Sequence, residues 1–432
     1  MPGTINLMYL RFNAVLIIVV AAGLGLGIGS SLIAAHRPAS AQSWWNVQAI
    51  DTMKFSRDNS GQYLHDPETL KQVAEQQAHA ISQTGATHIA IATPYDDDFA
   101  PILNVWVAAA RDNGLKVWYR GNWAGWEGWF DHAKIDRATH LKKTEDFILA
   151  HPDLFRDGDV FTACPECENG GPGDPRMTGD AAGFRKFLID EHDMMARAFA
   201  TIKKDVIFNY NSMNGDVAKL TMDPATTTAL GGIVTVDHYV STPGKLAADL
   251  VALAESSQGS IVLGEFGAPI PDINGEMTEA EQAKWITDAL IAIAPLKQIV
   301  GISYWTNQGG STALWNENST PRAAVAALTS FYTPSLLHGK VTSTTGEPLP
   351  GVTVSTKERT TVTDAEGAYV IPYVEPQGNL TASLADYGTV SVPIRDLPQN
   401  AVVMLPEPDR SWWGSLTHWF VRYSRALKHL FI

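Results

Sequence analysis

The chain has 432 residues, of which 45% are hydrophobic, and a formal net charge of −14. It exceeds one typical domain and suits a large barrel followed by a small module, with ample apolar material for a core. The acidic balance argues against nucleic acid as the main partner, because phosphate binding needs a basic face and none appears in the central region; a neutral or weakly charged substrate is easier to reconcile with it.

In chain order, Ala14 to Ala35 carries no charge, runs through Leu16-Ile17-Ile18-Val19-Val20, and is flanked by Arg11 and by His36-Arg37. That length spans a bilayer. Ala39-Ser40-Ala41-Gln42 follows and matches the small-x-small pattern of a signal-peptidase site, so residues 1–42 read either as a cleaved signal peptide or as a retained membrane anchor. Both readings export the remainder, to the periplasm or the cell surface.

Val47 to Met53 reads as a first strand, with Lys54 and Arg57-Asp58 in the loop after it. Asp66-Pro67 then supplies an N-cap and a first-turn proline for a helix through about Ser82. Thr87 to Thr93 is a second strand, an amphipathic helix leads to Gly114, and Leu115 to Arg120 is the third strand. It opens on Gly121 to Phe130, a loop too aromatic to be only a connection. After a helix centred on Lys142 to Ala150, Asp159-Val160-Phe161 starts a fourth strand that runs toward Glu166 and Glu168 and breaks at Gly170-Gly171. A long helix from Ala181 to Lys203 precedes strands at Asp205 to Tyr210, Gly232 to Val236, Ser260 to Gly264 and Ile299 to Trp305, with Thr278-Glu279-Ala280-Glu281 as a capping box between the last two. Eight alternations of strand and helix imply parallel strands joined by crossover helices. Glycine-rich strand ends, and no phosphate fingerprint after the first strand, favour an α/β (β/α)8 TIM barrel over residues 43–335 rather than an open doubly wound sheet.

From Gly339 the pattern changes to short strands broken by turns, such as Thr345 to Val352 and Thr363 to Tyr369. This stretch, residues 336–406, resembles the carboxypeptidase regulatory-like β-sandwich appended to many exported proteins; the resemblance implies a small C-terminal accessory module without chemistry. Residues 407–432 form a tail in which Ser411 to Ile432 has no acid and carries Arg422, Arg425 and Lys428. As a helix it gathers Trp412, Leu416, Trp419, Phe420, Tyr423, Leu427 and Leu430 on one face, which suits an interfacial helix on an anionic membrane better than one docked on the barrel.

In a barrel the loops after the strands build the catalytic face, so strand ends are candidate site positions. Arg120 ends the third strand, Glu166 the fourth, Asn209 the fifth, His238-Tyr239 the sixth, Glu265 the seventh and Trp305 the eighth. This order resembles the retaining glycoside hydrolases of the large barrel clan that includes the family-five cellulases and mannanases. The resemblance implies Glu166 as acid/base, Glu265 as nucleophile, His238 and Tyr239 in support and Trp305 as the floor under the cleaved sugar. One carboxyl group must keep its proton for the departing oxygen while the other is ionised to attack the anomeric carbon. The clan places Asn before the acid/base, where it binds the sugar's 2-hydroxyl; Pro165 stands there instead. Glu168, two residues on, competes with Glu166 for the role.

Arg120, Asn122, Trp123, Glu168, Asn209, His238, Tyr239 and Trp305 are therefore the candidate substrate-binding residues beside the two catalytic glutamates. Trp123, Trp126 and Trp129, three residues apart, are either the packed face of a short helix or the lining of a glycan groove, and their place on the catalytic face favours the groove. Cys164 and Cys167, the only cysteines, bracket Glu166. They are either a local disulfide or two unbridged thiols, and no second pair completes a zinc site. Asp96-Asp97-Asp98 lacks the spacing of a calcium loop and reads as a solvated helix start.

No metal or cofactor is expected. The expected activity is that of an exported, membrane-associated retaining β-glycoside hydrolase of the endo-β-glucanase or β-mannanase kind, with a β-linked polysaccharide or oligosaccharide as substrate. The N-terminal segment and the C-terminal tail are its expected membrane contacts. The alternatives are a transglycosylase on the same site and a non-catalytic barrel that binds glycans at the cell surface.

Overall fold

The computed structural model describes residues 44–373, 378–398 and 400–406. The leader or anchor expected in residues 1–42 and the amphipathic tail from residue 407 lie outside the described residues. Among the described residues no helix is long and apolar enough to cross a membrane. Two compact units part between Ser335 and Leu336.

The first unit is a barrel of eight parallel strands: β1 Val47–Asp51, β2 His88–Ile91, β3 Lys116–Tyr119, β4 Val160–Phe161, β5 Ser212–Asn214, β6 Ile233–Asp237, β7 Ser260–Phe266 and β8 Ile299–Tyr304. Hydrogen-bonded neighbours run β4-β3-β2-β1-β8-β7-β6-β5. Ile207 brings the two edges together, because Phe161 N donates to Ile207 O (2.8 Å) and Ile207 N donates to Asp159 O (2.8 Å). The fifth strand thus differs from the expected Asp205 to Tyr210. Ile207 pairs with β4, while the regular stretch lies further on and pairs with β6. The reason is local: the Thr162 hydroxyl donates to Tyr210 O (2.6 Å), so a side chain replaces a backbone rung just where β4 ends.

Alternation sorts the strand residues into two sets. Val47, Ala49, Ala90, Trp118, Val160, Tyr210 and Val262 fill the interior as one packed cluster. Ile50, Ile89, Ile91, Val117, Phe161, Val234, Val236, Ile261, Leu263 and Ile302 belong to the larger cluster shared with the surrounding helices. The phase carries one step further at the C-terminal ends, where Asp51 follows Ala49 inward and Arg120 follows Trp118. Asp237 comes next after outward Val236. Charges are thereby delivered to the mouth of an apolar barrel.

The helices start where the sequence places their caps. Asp66 accepts from Thr69 N (3.2 Å) at the head of Pro67–Ser82. Thr278 and Glu281 form a reciprocal capping box at the head of Glu279–Ile293, with bonds of 3.3 and 2.8 Å. Thr278→Ala is expected to cost about 1 kcal/mol, measured by denaturant unfolding, since one orphan N–H loses its acceptor.

The second unit, from Leu336, packs a four-stranded sheet and a three-stranded sheet. Val341, Val352, Val354, Ile371, Leu380, Ala382 and Leu405 form its buried core. Alternating inward residues from both sheets make this a β-sandwich.

Candidate active site

Arg120 is the centre of the barrel mouth. Its side chain is fully buried and faces three acids: Nη2 donates to Glu265 Oε1 (2.7 Å) and to Asp237 Oδ2 (3.0 Å), and Nε lies 3.6 Å from Asp51 Oδ2. Nη1 donates to Gly264 O (2.8 Å). Only glycine fits at 264, because a Cβ there would press on Asp237 Oδ1, Thr235 and Arg120 Nη1. The guanidinium also lies over the Trp118 ring, 5.3 Å from its centroid.

One buried cation cannot neutralise three carboxylates. Burial, opposed by the Arg120 charge and reinforced by Glu265, raises Asp51 to about 7. Burial pushes Asp237 well above the usual carboxylate range, with Glu265 and Glu166 adding repulsion. The two aspartates therefore hold their protons more tightly than free carboxyls do, and the shortest of the three contacts of Arg120 with acids, 2.7 Å, goes to Glu265. Tyr239 OH donates to the other oxygen, Glu265 Oε2 (2.8 Å), so both lone-pair sides of the carboxylate are fixed.

Glu166 is on the loop after β4, near enough to Glu265 and Arg120 for its carboxyl to feel both charges. It is half-buried, its backbone is left-handed (φ 48°), and its N–H donates to Ser212 O (2.8 Å). Burial first, then the charges of Glu265 and Glu168, raise its carboxyl to about 8, against the pull of Arg120 and of an Asn169 hydrogen bond. That bond runs from Asn169 Nδ2 to Glu166 Oε2 (3.2 Å), so an amide does reach this carboxyl, although from the residue three places after it. Cys164 and Cys167 are bridged, with Cα atoms 5.2 Å apart, which resolves the two readings of the pair in favour of the disulfide.

Trp305 stands half-buried at the end of β8 and meets Tyr239 edge to face, with ring centroids 6.0 Å apart. Lys54 Nζ lies 5.5 Å from the Trp305 centroid. Asn122, two residues after Arg120, is half-buried, its Oδ1 accepting from Trp123 N (2.8 Å).

Four expected site residues are placed elsewhere. Trp123 is 5% exposed; its indole donates to Thr144 Oγ1 (2.9 Å) and packs on Tyr95 and Phe147, so it is core and not a groove lining. Trp126 is likewise buried, and only Trp129 remains half-buried, with Arg57 4.7 Å from its centroid. Asn209 Nδ2 points to Gly231 O (3.5 Å) before the start of β6, at the opposite end of the barrel, because the fifth strand continues past it. His238 turns its ring to Asp249 (2.8 Å) on the helix Pro243–Ser257 and supports Glu265 only through its backbone N–H, 2.9 Å from Glu265 O. Glu168 is 1% exposed and accepts from Asn214 N (2.6 Å) and Asn214 Nδ2 (2.9 Å), so it braces β5 instead of reaching outward.

Asp96 also departs from the solvated reading, being 4% exposed and bound to Ala124 N (2.6 Å) and Lys143 Nζ (2.7 Å). Asp51 and Asp237 were not among the expected residues. Their signal is an acid that closes an apolar strand in inward phase, as in Val47-Gln48-Ala49-Ile50-Asp51. Among the described residues no group of three or more His, Cys, Asp or Glu is arranged to hold a metal ion.

Residues 337–404 match the carboxypeptidase regulatory-like domain family. No curated protein matches the chain. Among solved structures it is similar to GH5_18 from Streptomyces cattleya in complex with GlcNAc, at 14% identity over 72% of this chain and 83% of that one, with a TM-score of 0.52. It is also similar to GH5_18 from Bifidobacterium longum subsp. longum in complex with Manb1-4GlcNAc, at 13% identity over 71% of this chain and 85% of that one, TM-score 0.51. At this identity the likeness establishes the shared barrel fold.

Proposed function

We propose that the barrel is a retaining β-glycoside hydrolase acting on a β-linked polysaccharide or oligosaccharide in the manner of an endo-β-glucanase or β-mannanase. The observation that carries this is the division of labour between two glutamates. Glu265 is bonded on both oxygens by Arg120 and Tyr239, which aims it and sets a cation against the attacking carboxyl group. Glu166 sits where burial and neighbouring carboxylates keep its proton on. In the first step Glu265 attacks the anomeric carbon while Glu166 protonates the departing oxygen. In the second, Glu166, now a carboxylate, takes a proton from water, which displaces Glu265 from the anomeric carbon and leaves the sugar with its original configuration. Trp305 supplies a flat apolar floor for the sugar ring. The complex of a barrel of similar fold with Manb1-4GlcNAc is in keeping with a β-linked substrate.

Export and membrane association rest on Ala14 to Ala35, the Ala39-Ser40-Ala41 site and the basic aromatic tail, all in the sequence outside the described residues. A disulfide is in keeping with an oxidising compartment.

The general acid must be protonated, and its pKa lies high, so kcat/KM is expected to hold through neutral pH and to fall as pH rises through about 8. A pH profile on a β-glucan and a β-mannan checks this. Glu166→Gln should remove the alkaline limb and slow hydrolysis by about 10²- to 10⁴-fold. An alkaline limb that survives the substitution unchanged would remove Glu166 from the acid role. Product analysis in the same assay should show hydrolysis to reducing ends and not chain lengthening.

A further inference from the structure

Glu166 lies inside a covalent ring closed between residues only three apart in sequence. Its left-handed backbone is one that a residue with a Cβ adopts rarely, so something must hold it there. Three contacts do so. The Cys164–Cys167 bridge closes around it, and both half-cystines are buried in the core. The Trp126 indole donates to Cys167 O (3.1 Å) while stacking on Phe187 at 5.5 Å and meeting His140 edge-on at 4.8 Å. Glu166 N itself is tied to Ser212 O (2.8 Å). Gly171 leaves the indole its space, since a Cβ at that position would collide with Nε1.

A ring this short removes little chain entropy from the unfolded state compared with one that closes a long loop. Two thiols would also fill nearly the same volume. What the bond can change is therefore local shape, and the residue whose shape it sets is the acid.

We propose that the Cys164–Cys167 disulfide, with Trp126 behind it, is a positioning element for Glu166, so that the enzyme is competent when oxidised and latent as the dithiol. The inference rests on the reading of Glu166 as the acid/base. Activation is thiol–disulfide exchange with a disulfide-bearing oxidant: the two thiols lose two protons and two electrons, the S–S bond forms, and the oxidant's disulfide is reduced to two thiols. In the dithiol the Glu166 backbone relaxes and its carboxyl leaves the position of the departing oxygen. A displacement of about 1 Å at a reacting group costs about 10²-fold in rate.

The test compares wild type, Cys164→Ser/Cys167→Ser, Trp126→Phe and Glu166→Gln on dinitrophenyl and phenyl β-glucosides and β-mannosides. The dinitrophenyl group departs without protonation and the phenyl group needs it, so kcat/KM on the pair isolates the acid. The double variant is expected to lose about 10- to 100-fold on the phenyl substrates and little on the dinitrophenyl ones, with Tm nearly unchanged. Trp126→Phe keeps the bridge, removes the bond to Cys167 O together with part of the packing on Phe187 and His140, and should show the same selectivity with a smaller loss. Wild-type rates on both substrates from the double variant would overturn the proposal, as would equal losses on both together with a large fall in Tm. If Glu166→Gln itself shows no leaving-group selectivity, the acid/base reading fails first and the inference falls with it.

Discussion

Glu265→Gln is expected to abolish turnover, with kcat/KM falling on the order of 10⁴-fold or more, while folding and glycan binding persist. The amide keeps the size of the carboxylate; its one oxygen can keep the bond from Arg120 Nη2 while its NH2 donates to the Tyr239 hydroxyl oxygen, so the mouth of the barrel is little disturbed. It cannot form the ester on which the second displacement depends. The remaining rate would come from binding and from Glu166 alone. The same substitution removes one negative charge next to Asp51, Asp237 and Glu166, each of which is raised in part by Glu265. Their proton affinities are expected to drop in the variant. A nuclear magnetic resonance titration of these carboxyl groups reads this directly, and unchanged titrations would mean that the four groups do not share one site.

Arg120→Met has the second large effect, and it falls on stability as well as rate. The side chain is fully buried among Asp51, Asp237 and Glu265, so its removal leaves three acids facing each other without a cation. Breaking a buried charge network from one side costs about 3–5 kcal/mol. For a unit of this size that corresponds to a fall in Tm of roughly 5–15 °C. The sign of the pH dependence follows from the same groups. Arg120 lowers the proton affinities of Asp51 and Asp237, so without it these two bind protons more tightly still, and below their pKa values they are neutral and need no partner. The loss is therefore expected to be small near pH 5 and full above about pH 8, where ionising them is penalised. Thermal unfolding of wild type and variant at the two pH values measures this; a loss that does not depend on pH would assign Arg120 a packing role only. Arg120→Lys should not restore function, since an ammonium cannot reach Glu265, Asp237 and Gly264 O from one plane.

Much of the barrel was legible because its units are regular. β-branched runs such as Ile299 to Tyr304 and caps such as Asp66-Pro67 and Thr278 to Glu281 report local preferences that packing then reinforces. The fourth and fifth strands were less legible, since the Thr162 hydroxyl and the Glu166 N–H take over backbone rungs that an alternating pattern assigns to the sheet. That exchange is invisible in composition and shifted Asn209 to the wrong end of the barrel. Arg120, Tyr239 and Glu265 were readable as strand ends and do converge.

Trp123 and Trp126 show the converse. Aromatic loops on a catalytic face invite a groove reading, but Thr144 and Cys167 O satisfy the two indoles from inside. Asp51 and Asp237 escaped notice because a lone acid after an apolar strand also suits an ordinary loop. Only the shared guanidinium reveals their role.

The central claim, two glutamates working in two displacements, is tested most directly by azide rescue of Glu166→Gln on dinitrophenyl β-glucosides and β-mannosides. In that variant the glycosyl group should accumulate on Glu265, and azide, which needs no general base, should release it as the β-glycosyl azide with a rise in kcat of about 10-fold or more. Wild type and Glu265→Gln should give no such product. A wild type that binds β-glucan or β-mannan but turns over no glycan, with binding unchanged by both substitutions, would contradict the enzyme reading in favour of a glycan-binding barrel.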